Sequence, residues 1–212
     1  MGFGKTKNQK PVLSFSEKLE MASSARTIER FIISLDKYQK LCAFRHETDE
    51  KSRRNDFYYD FPGNQILIDG MSLRIREEEG RDGKKRVTLK FREKATEESL
   101  LHQLSPVEIA MWEAVERKSI PLLALEKSKI RPAYAKAKNV GVISTIRSVL
   151  FDGGVTIDNC SFKKGNIIFN DYEIRLKKEE CREDLLSLFR NQFLDIPVNI
   201  ITKSRYQRLM EL

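Results

Sequence analysis

Residues 71–78, Met71-Ser72-Leu73-Arg74-Ile75-Arg76-Glu77-Glu78, and residues 86–92, Arg86-Val87-Thr88-Leu89-Lys90-Phe91-Arg92, decide how this chain is read. Gly80-Arg81-Asp82-Gly83 between them supplies turn residues, so the pair reads as a β-hairpin. Side chains two apart on a strand share a face. The first strand therefore sets Arg74, Arg76 and Glu78 on one side and Leu73 and Ile75 on the other. The second sets Arg86, Thr88, Lys90 and Arg92 against Val87, Leu89 and Phe91. As many as five cations share one face of one hairpin.

Like charges side by side repel, so such a face is stable only when hydrated, interleaved with carboxylates, or built to hold an anion. The plain reading is a solvated outer face. Later strands weigh against it, because Thr145 with Arg147, Thr156 with Asp158, and Glu173 with Arg175 and Lys177 repeat the design. A barrel can turn all of these polar faces inward, as a charged tunnel within an apolar shell.

Outward from the hairpin, residues 26–34 and 56–61 read as strands, with Pro62-Gly63-Asn64 as a turn, and 36–44 as a helix. The charged stretch 47–54 reads as a loop. Ser105 heads a helix to about residue 118, with Pro106 in its first turn and Glu108 completing a capping box; Pro121 starts another helix. Strand patterns return at 141–151, 155–159 and 166–177, punctuated by Asp152-Gly153-Gly154 and Lys164-Gly165, and 183–194 reads as a helix before a basic tail from Lys203. The expected class is α+β: a closed antiparallel β-barrel of about eight strands with helices packed outside. Residues 1–24 read as an extension with a short helix at 16–21, and 25–212 as one domain.

The chain has 212 residues, 40% hydrophobic and 33% charged, which suits one domain with a real core. A net charge of +8 attracts anions without saying which. Cys42, Cys160 and Cys181 form no CxxC pair, so neither a disulfide framework nor a zinc site is expected, and a reducing cytoplasm fits. No apolar run reaches the ~20 residues of a membrane helix, so a soluble protein without membrane contact is expected. Met1-Gly2-Phe3-Gly4-Lys5-Thr6 satisfies a loose myristoylation pattern and mimics the end of a P-loop, but a P-loop needs a preceding strand and an earlier glycine. His46 and His102 read as surface histidines, and Trp112, at helical spacing with Ile109 and Val115, as packing.

Six stretches in this order resemble the CYTH domain, the triphosphate tunnel fold of class IV adenylate cyclases, thiamine triphosphatases and inorganic triphosphatases. They are Thr27-Ile28-Glu29-Arg30-Phe31, Tyr58-Tyr59-Asp60, Leu73-Arg74-Ile75-Arg76-Glu77-Glu78, Val87-Thr88-Leu89-Lys90, Tyr172-Glu173-Ile174-Arg175-Leu176 and Thr202-Lys203-Ser204-Arg205-Tyr206-Gln207-Arg208. The last looks like the family's closing Ser-Lys-Tyr-x-x-Arg segment. The resemblance covers roughly residues 27–209.

It implies that Arg74, Arg76, Lys90 and Lys203 contact phosphate oxygens, with Arg147 and Arg175 beside them. Guanidinium forks bind phosphate bidentately and lysine adds compact charge. It also implies a divalent metal, Mg2+ or Mn2+, held by Glu29, Glu78, Asp171 and Glu173, with Glu29 and Glu173 as the catalytic carboxylates. The family's first strand reads Glu-x-Glu-x-Lys where this chain has Thr27, Glu29 and Phe31, so one carboxylate and the lysine are missing; its late Glu-x-Glu pair falls on Glu173 and Arg175 in one register and on Asp171 and Glu173 in the other.

The expectation is a protein that binds a triphosphate-bearing ligand in a basic tunnel and hydrolyses it with a divalent metal. The alternative is a non-catalytic module for a polyphosphate, a nucleotide or an RNA 5'-triphosphate end, favoured by the excess of cations over carboxylates. Adenylate cyclisation follows from the resemblance alone. A homodimer is compatible with this reading.

Overall fold

A computed structural model describes residues 28–43, 50–80, 83–93, 99–150, 155–177 and 201–212. The expected N-terminal extension, the helix at 183–194, His46 and Cys181 lie outside the described residues. The strands are β1 (Ile28–Ile33), β2 (Glu50–Asp60), β3 (Met71–Glu79), β4 (Lys85–Glu93), β5 (Ser99–Gln103), β6 (Lys138–Leu150), β7 (Val155–Lys164) and β8 (Ile167–Lys177). The helices are α1 (Leu35–Ala43), α2 (Gln65–Ile68), α3 (Pro106–Ala114), α4 (Leu122–Lys127) and α5 (Arg205–Met210), with a 3-10 turn at Pro132–Lys136.

The strands form one eight-stranded sheet in the order β1-β8-β7-β6-β2-β3-β4-β5, every neighbouring pair antiparallel. Among the described residues β1 and β5 end the ladder and no pairing joins them, so the sheet is open in its hydrogen bonding where a closed barrel was expected.

The hairpin alternation fixes which side is which. Arg74 pairs with Lys90 and Arg76 with Thr88, while Leu73 faces Phe91 and Ile75 faces Leu89. Leu73, Ile75, Val87 and Leu89 are buried with Phe57, Tyr59 and, from the covering helices, Trp112, Ala124 and Leu125. Each such aliphatic side chain is worth roughly 1.5–3 kcal/mol when fully buried, so a one-residue slip that moved them to the charged face would be prohibitive. Helix α1 covers the same side of β7, β8 and β1 through Leu41, Ile157, Ile174 and Ile33.

The opposite face carries the charges and one helix of its own. Ser204 caps α5 and forms a capping box with Gln207, and Tyr206 and Leu209 pack with Tyr58, Ile143, Cys160 and Phe162. Tyr206 stacks on Tyr58 at 4.8 Å between ring centres and donates to Asp60. Gly141 makes room: a Cβ there would lie 2.8 Å from the Lys163 carbonyl and 3.0 Å from Leu209.

Several elements depart from the sequence reading. Strand β2 begins at Glu50, within the stretch read as a loop, because its charges find cross-strand partners such as Arg54 with Glu78. Strand β5 was not foreseen; it lies in a polar stretch and pairs only with β4. The Ser105–Glu108 capping box is present, but α3 ends at Ala114 because Glu116 and Arg117 adopt left-handed φ values of 52° and 60°. His102, read as a free surface group, lies 3.1 Å from the buried Glu108 carboxylate. No helix among the described residues is long and apolar enough to cross a membrane.

Candidate phosphate-binding face

Residues opposite one another on adjacent strands share a face, so the charged side can be read as rows across the sheet. One row runs from Arg76 through Asp56 to Ile143 and Phe162. The next runs from Glu78 through Arg54, Thr145 and Cys160 to Asp171, and a third joins Arg147, Asp158, Glu173 and Ile32. Arg175 and Arg30 pair beside the third.

In the first region, Arg76 holds Asp56 bidentately at 2.7 and 3.0 Å. Arg74 donates to the Tyr58 hydroxyl at 3.0 Å and lies 3.4 Å from Asp56. Arg54 donates to Glu78 at 2.6 Å. Burial works against the Asp56 charge, yet Arg74 and Arg76 outweigh it and hold its carboxyl below the usual range. Lys90 is pushed down by burial and by the crowding of Arg74, Arg76 and Arg92.

In the second region, Arg147 clasps Asp158 with two bonds of 2.7 Å. Arg205 sits between the acids: Nη2 is 2.5 Å from Asp158 and 2.8 Å from Glu173, Nε is 2.9 Å from Glu173, and Nη1 reaches Thr145 at 3.2 Å. Arg208 bonds both Asp171 and Glu173. Arg175 lies 3.2 Å from Asp158, and Arg30 3.6 Å from Glu173. Asp158 and Glu173 are buried, which alone would raise their carboxyls, but the surrounding arginines hold both below the ordinary range. Asp171 is held above it, burial outweighing Arg208. Burial and the neighbouring Arg205 lower Arg175 to about 10, and burial pushes the Cys160 thiol up to about 12.

The structure brings Arg74, Arg76 and Lys90 together on one hairpin, and Arg147, Arg175 and Glu173 together around Asp158. Asp171 pairs with Arg208 and Glu78 with Arg54, and in their shared row three strands stand between them. The Glu29 backbone pairs with Leu176, the register position that alternates away from Arg30 and Glu173; its side chain lies outside the described residues. Lys203 is exposed and donates to Glu211 at 2.7 Å. Two residues on, Arg205 reaches the acids instead. Read in register with the Ser-Lys-Tyr of that closing segment, Ser204-Arg205-Tyr206 already put a cation at Arg205. Arg30, Asp56 and Arg208 were also missed as members of the site, and strand alternation placed only Asp56 and Arg30 on a face.

The ligating atoms of Asp158, Cys160 and Glu173 lie within 4.8 Å of one another, a cluster of the size that holds a metal ion. Tested against Mg2+ or Mn2+, the donors present do not fit. Each carboxylate oxygen of Asp158 and Glu173 already accepts from a guanidinium, and the third group is a protonated thiol where a hard cation asks for oxygen. A cavity of about 770 Å³ is lined by Arg53, Arg54, Glu78 and Lys85 from β2–β4 and by Ser144, Thr145, Asn159 and Asn170 from β6–β8, so it shares Arg54, Glu78 and Thr145 with the charged face.

The molecule is thus an antiparallel sheet, open in its hydrogen bonding, with helices on its apolar side, arginine–carboxylate rows on its other side and α5 docked on those rows. The CYTH domain matches residues 26–209, and the chain belongs to that family. Among solved structures it is similar to a candidate adenylate cyclase from Bacillus halodurans, with 17% identity, a TM-score of 0.54, and coverage of 86% of this chain and 95% of that one. The PH1819 protein from Pyrococcus horikoshii OT3 matches with 16% identity and a TM-score of 0.54 over 87% and 95% of the two chains. The candidate adenylyl cyclase HpAC1 from Hippeastrum, described as having a dominant triphosphatase activity, matches with 13% identity and a TM-score of 0.54 over 87% and 94%. At these identities the likeness is one of fold. A comparison with curated proteins returns no match.

Proposed function

We propose that this chain binds a triphosphate-bearing ligand on its arginine-rich face, with Arg74, Arg76, Lys90, Arg147 and Arg175 as phosphate contacts and Arg205 and Arg208 ordering the acids around them. One observation carries the reading. The Nε atoms of Arg30, Arg74, Arg175 and Arg208 are buried without a hydrogen-bond partner. Buried donors left unmade are costly, and an anion laid along the face supplies the missing acceptors. Membership of the CYTH family supports a triphosphate as that anion. For one ligand to meet cations at both ends of the sheet, the sheet must wrap it, which is the sense in which a barrel belongs to this reading. The ligand is an inorganic or organic triphosphate; an RNA 5'-triphosphate end shares the chemistry. The free thiols of Cys42 and Cys160 suit a reducing compartment.

The test is a thermal melt of the full chain with tripolyphosphate against sulfate at equal ionic strength. A ligand bound only by the folded state raises the melting temperature by mass action. Equal melting temperatures in the two salts defeat the reading.

A second reading, hydrolysis assisted by Mg2+ or Mn2+ through Glu29, Glu78, Asp171 and Glu173, rests on membership of the CYTH family rather than on the Asp158, Cys160 and Glu173 cluster, whose carboxylate oxygens are already taken. Phosphate release from tripolyphosphate, ATP and thiamine triphosphate, with metal and with chelator, separates it from binding alone.

A further inference from the structure

The Asp158–Cys160–Glu173 cluster has the spacing of a cation site and already contains a cation. Arg205 bridges Asp158 and Glu173 through one nitrogen and reaches Glu173 and Thr145 with the other two. Its side chain is only 10% exposed. The helix that carries it is clamped by the Tyr206–Tyr58 stack and by Leu209 closing on Gly141, so Arg205 is not a free arm. The one carboxylate oxygen it leaves, Asp158 Oδ1, is taken by Arg147, and Arg175 and Arg208 share the Glu173 oxygens with it.

We propose that Arg205 is the built-in cation of this site: it closes the cluster to divalent metal, and the phosphate chain is bound by protein cations with no metal between. This rests on the phosphate-binding reading above. Magnesium demands near-octahedral oxygen ligands at about 2.0–2.1 Å. It reaches the Asp158 and Glu173 oxygens only by expelling guanidinium donors, and it enters among like charges from Arg30, Arg147, Arg175, Arg205 and Arg208. An anion meets the reverse situation, since the same guanidiniums attract it, and the buried Nε atoms of Arg30, Arg175 and Arg208 have no hydrogen-bond partner.

Two measurements on the full chain test this. In the first, Mn2+ binding is read by electron paramagnetic resonance without phosphate. Wild type is expected to leave millimolar Mn2+ free, whereas Arg205→Gln binds one equivalent that Asp158→Asn removes again. A wild type that binds one equivalent, lost on Asp158→Asn, overturns the proposal, and so does a folded Arg205→Gln protein that binds none. Should Arg205→Gln not fold, the wild-type comparison with Asp158→Asn still decides. In the second, tripolyphosphate is titrated calorimetrically in excess chelator and in Mg2+. The affinity in chelator is expected within about threefold of that in Mg2+, or tighter, and a loss of about tenfold or more in chelator overturns the metal-free mode. Absence of binding under both conditions sinks the phosphate reading with it, while the Mn2+ result still decides whether Arg205 closes the cluster.

Discussion

The two regions of the charged face use the same residue types differently. On β2–β4, Asp56 answers both Arg74 and Arg76, and Lys90 makes no hydrogen bond or ion pair among the described residues. On β6–β8 and α5, every acid is clasped: Asp158 by Arg147, Arg175 and Arg205, Glu173 by Arg205 and Arg208, Asp171 by Arg208. The second region therefore shares Asp158 and Glu173 among arginines and is the more self-supporting of the two, whereas the first keeps one cation, Lys90, with no carboxylate of its own.

That contrast breaks first at Glu173. Replacing it with alanine strands several buried guanidiniums, and removing one partner of a buried pair costs about 3–5 kcal/mol, so urea unfolding should show a loss of that size. A loss below about 1 kcal/mol would mean that the second region is no more self-supporting than the first.

Acid probes the same region without mutation. Asp158 and Glu173 titrate below their ordinary values in the folded state. A depressed folded pKa adds stability above the unfolded pKa, and that stability is lost as pH falls toward the folded value. Asp171 runs the other way: its raised value favours the fold at low pH, and that share fades as pH rises through it. With two depressed and clasped acids against one, the melting temperature should fall below about pH 4, and Asp158→Asn should flatten the fall. A wild-type melting temperature level from neutral pH through that range would contradict the pairing.

The first region should respond in binding. Lys90→Ala orphans no carboxylate, so stability should stay within about 0.5 kcal/mol while tripolyphosphate loses a charge-assisted contact of about 1.5–3 kcal/mol, read by calorimetry. Arg76→Ala should weaken binding by a similar amount and also destabilise, because Asp56 keeps only Arg74. If Lys90→Ala instead unfolds the protein at full affinity, the division between the regions fails.

The smallest effect belongs to Lys203. Its side chain is 57% exposed and its partner Glu211 is exposed too. Surface pairs of this kind are worth about 0–1 kcal/mol, so Lys203→Ala should leave melting and tripolyphosphate affinity nearly unchanged. A large loss of affinity would restore the phosphate role that the sequence assigned to it.

Much of the first region was legible beforehand because it is local. Arg74, Arg76 and Lys90 share a face through strand period and a short turn, both visible in a continuous stretch of chain. The stretch before Arg54 was misread because charge was taken to mean solvent, whereas Arg54 spends its charge on Glu78 one strand away. Arg205 was overlooked beside Lys203 because a basic tail has no period to fix its register until Ser204 caps a helix.

The sequence alone determined which side chains alternate, and so that a basic face and an apolar face would back one another. Only the tertiary structure decided which cations are free and which are spent. Arg205 and Arg208 meet Asp158 and Glu173 across a long separation in the chain, through a helix docked on Gly141 and Tyr58. Alternation is set residue by residue by backbone geometry, whereas the pairing of buried charges depends on strand register and on docking contacts between distant segments, which no local pattern records.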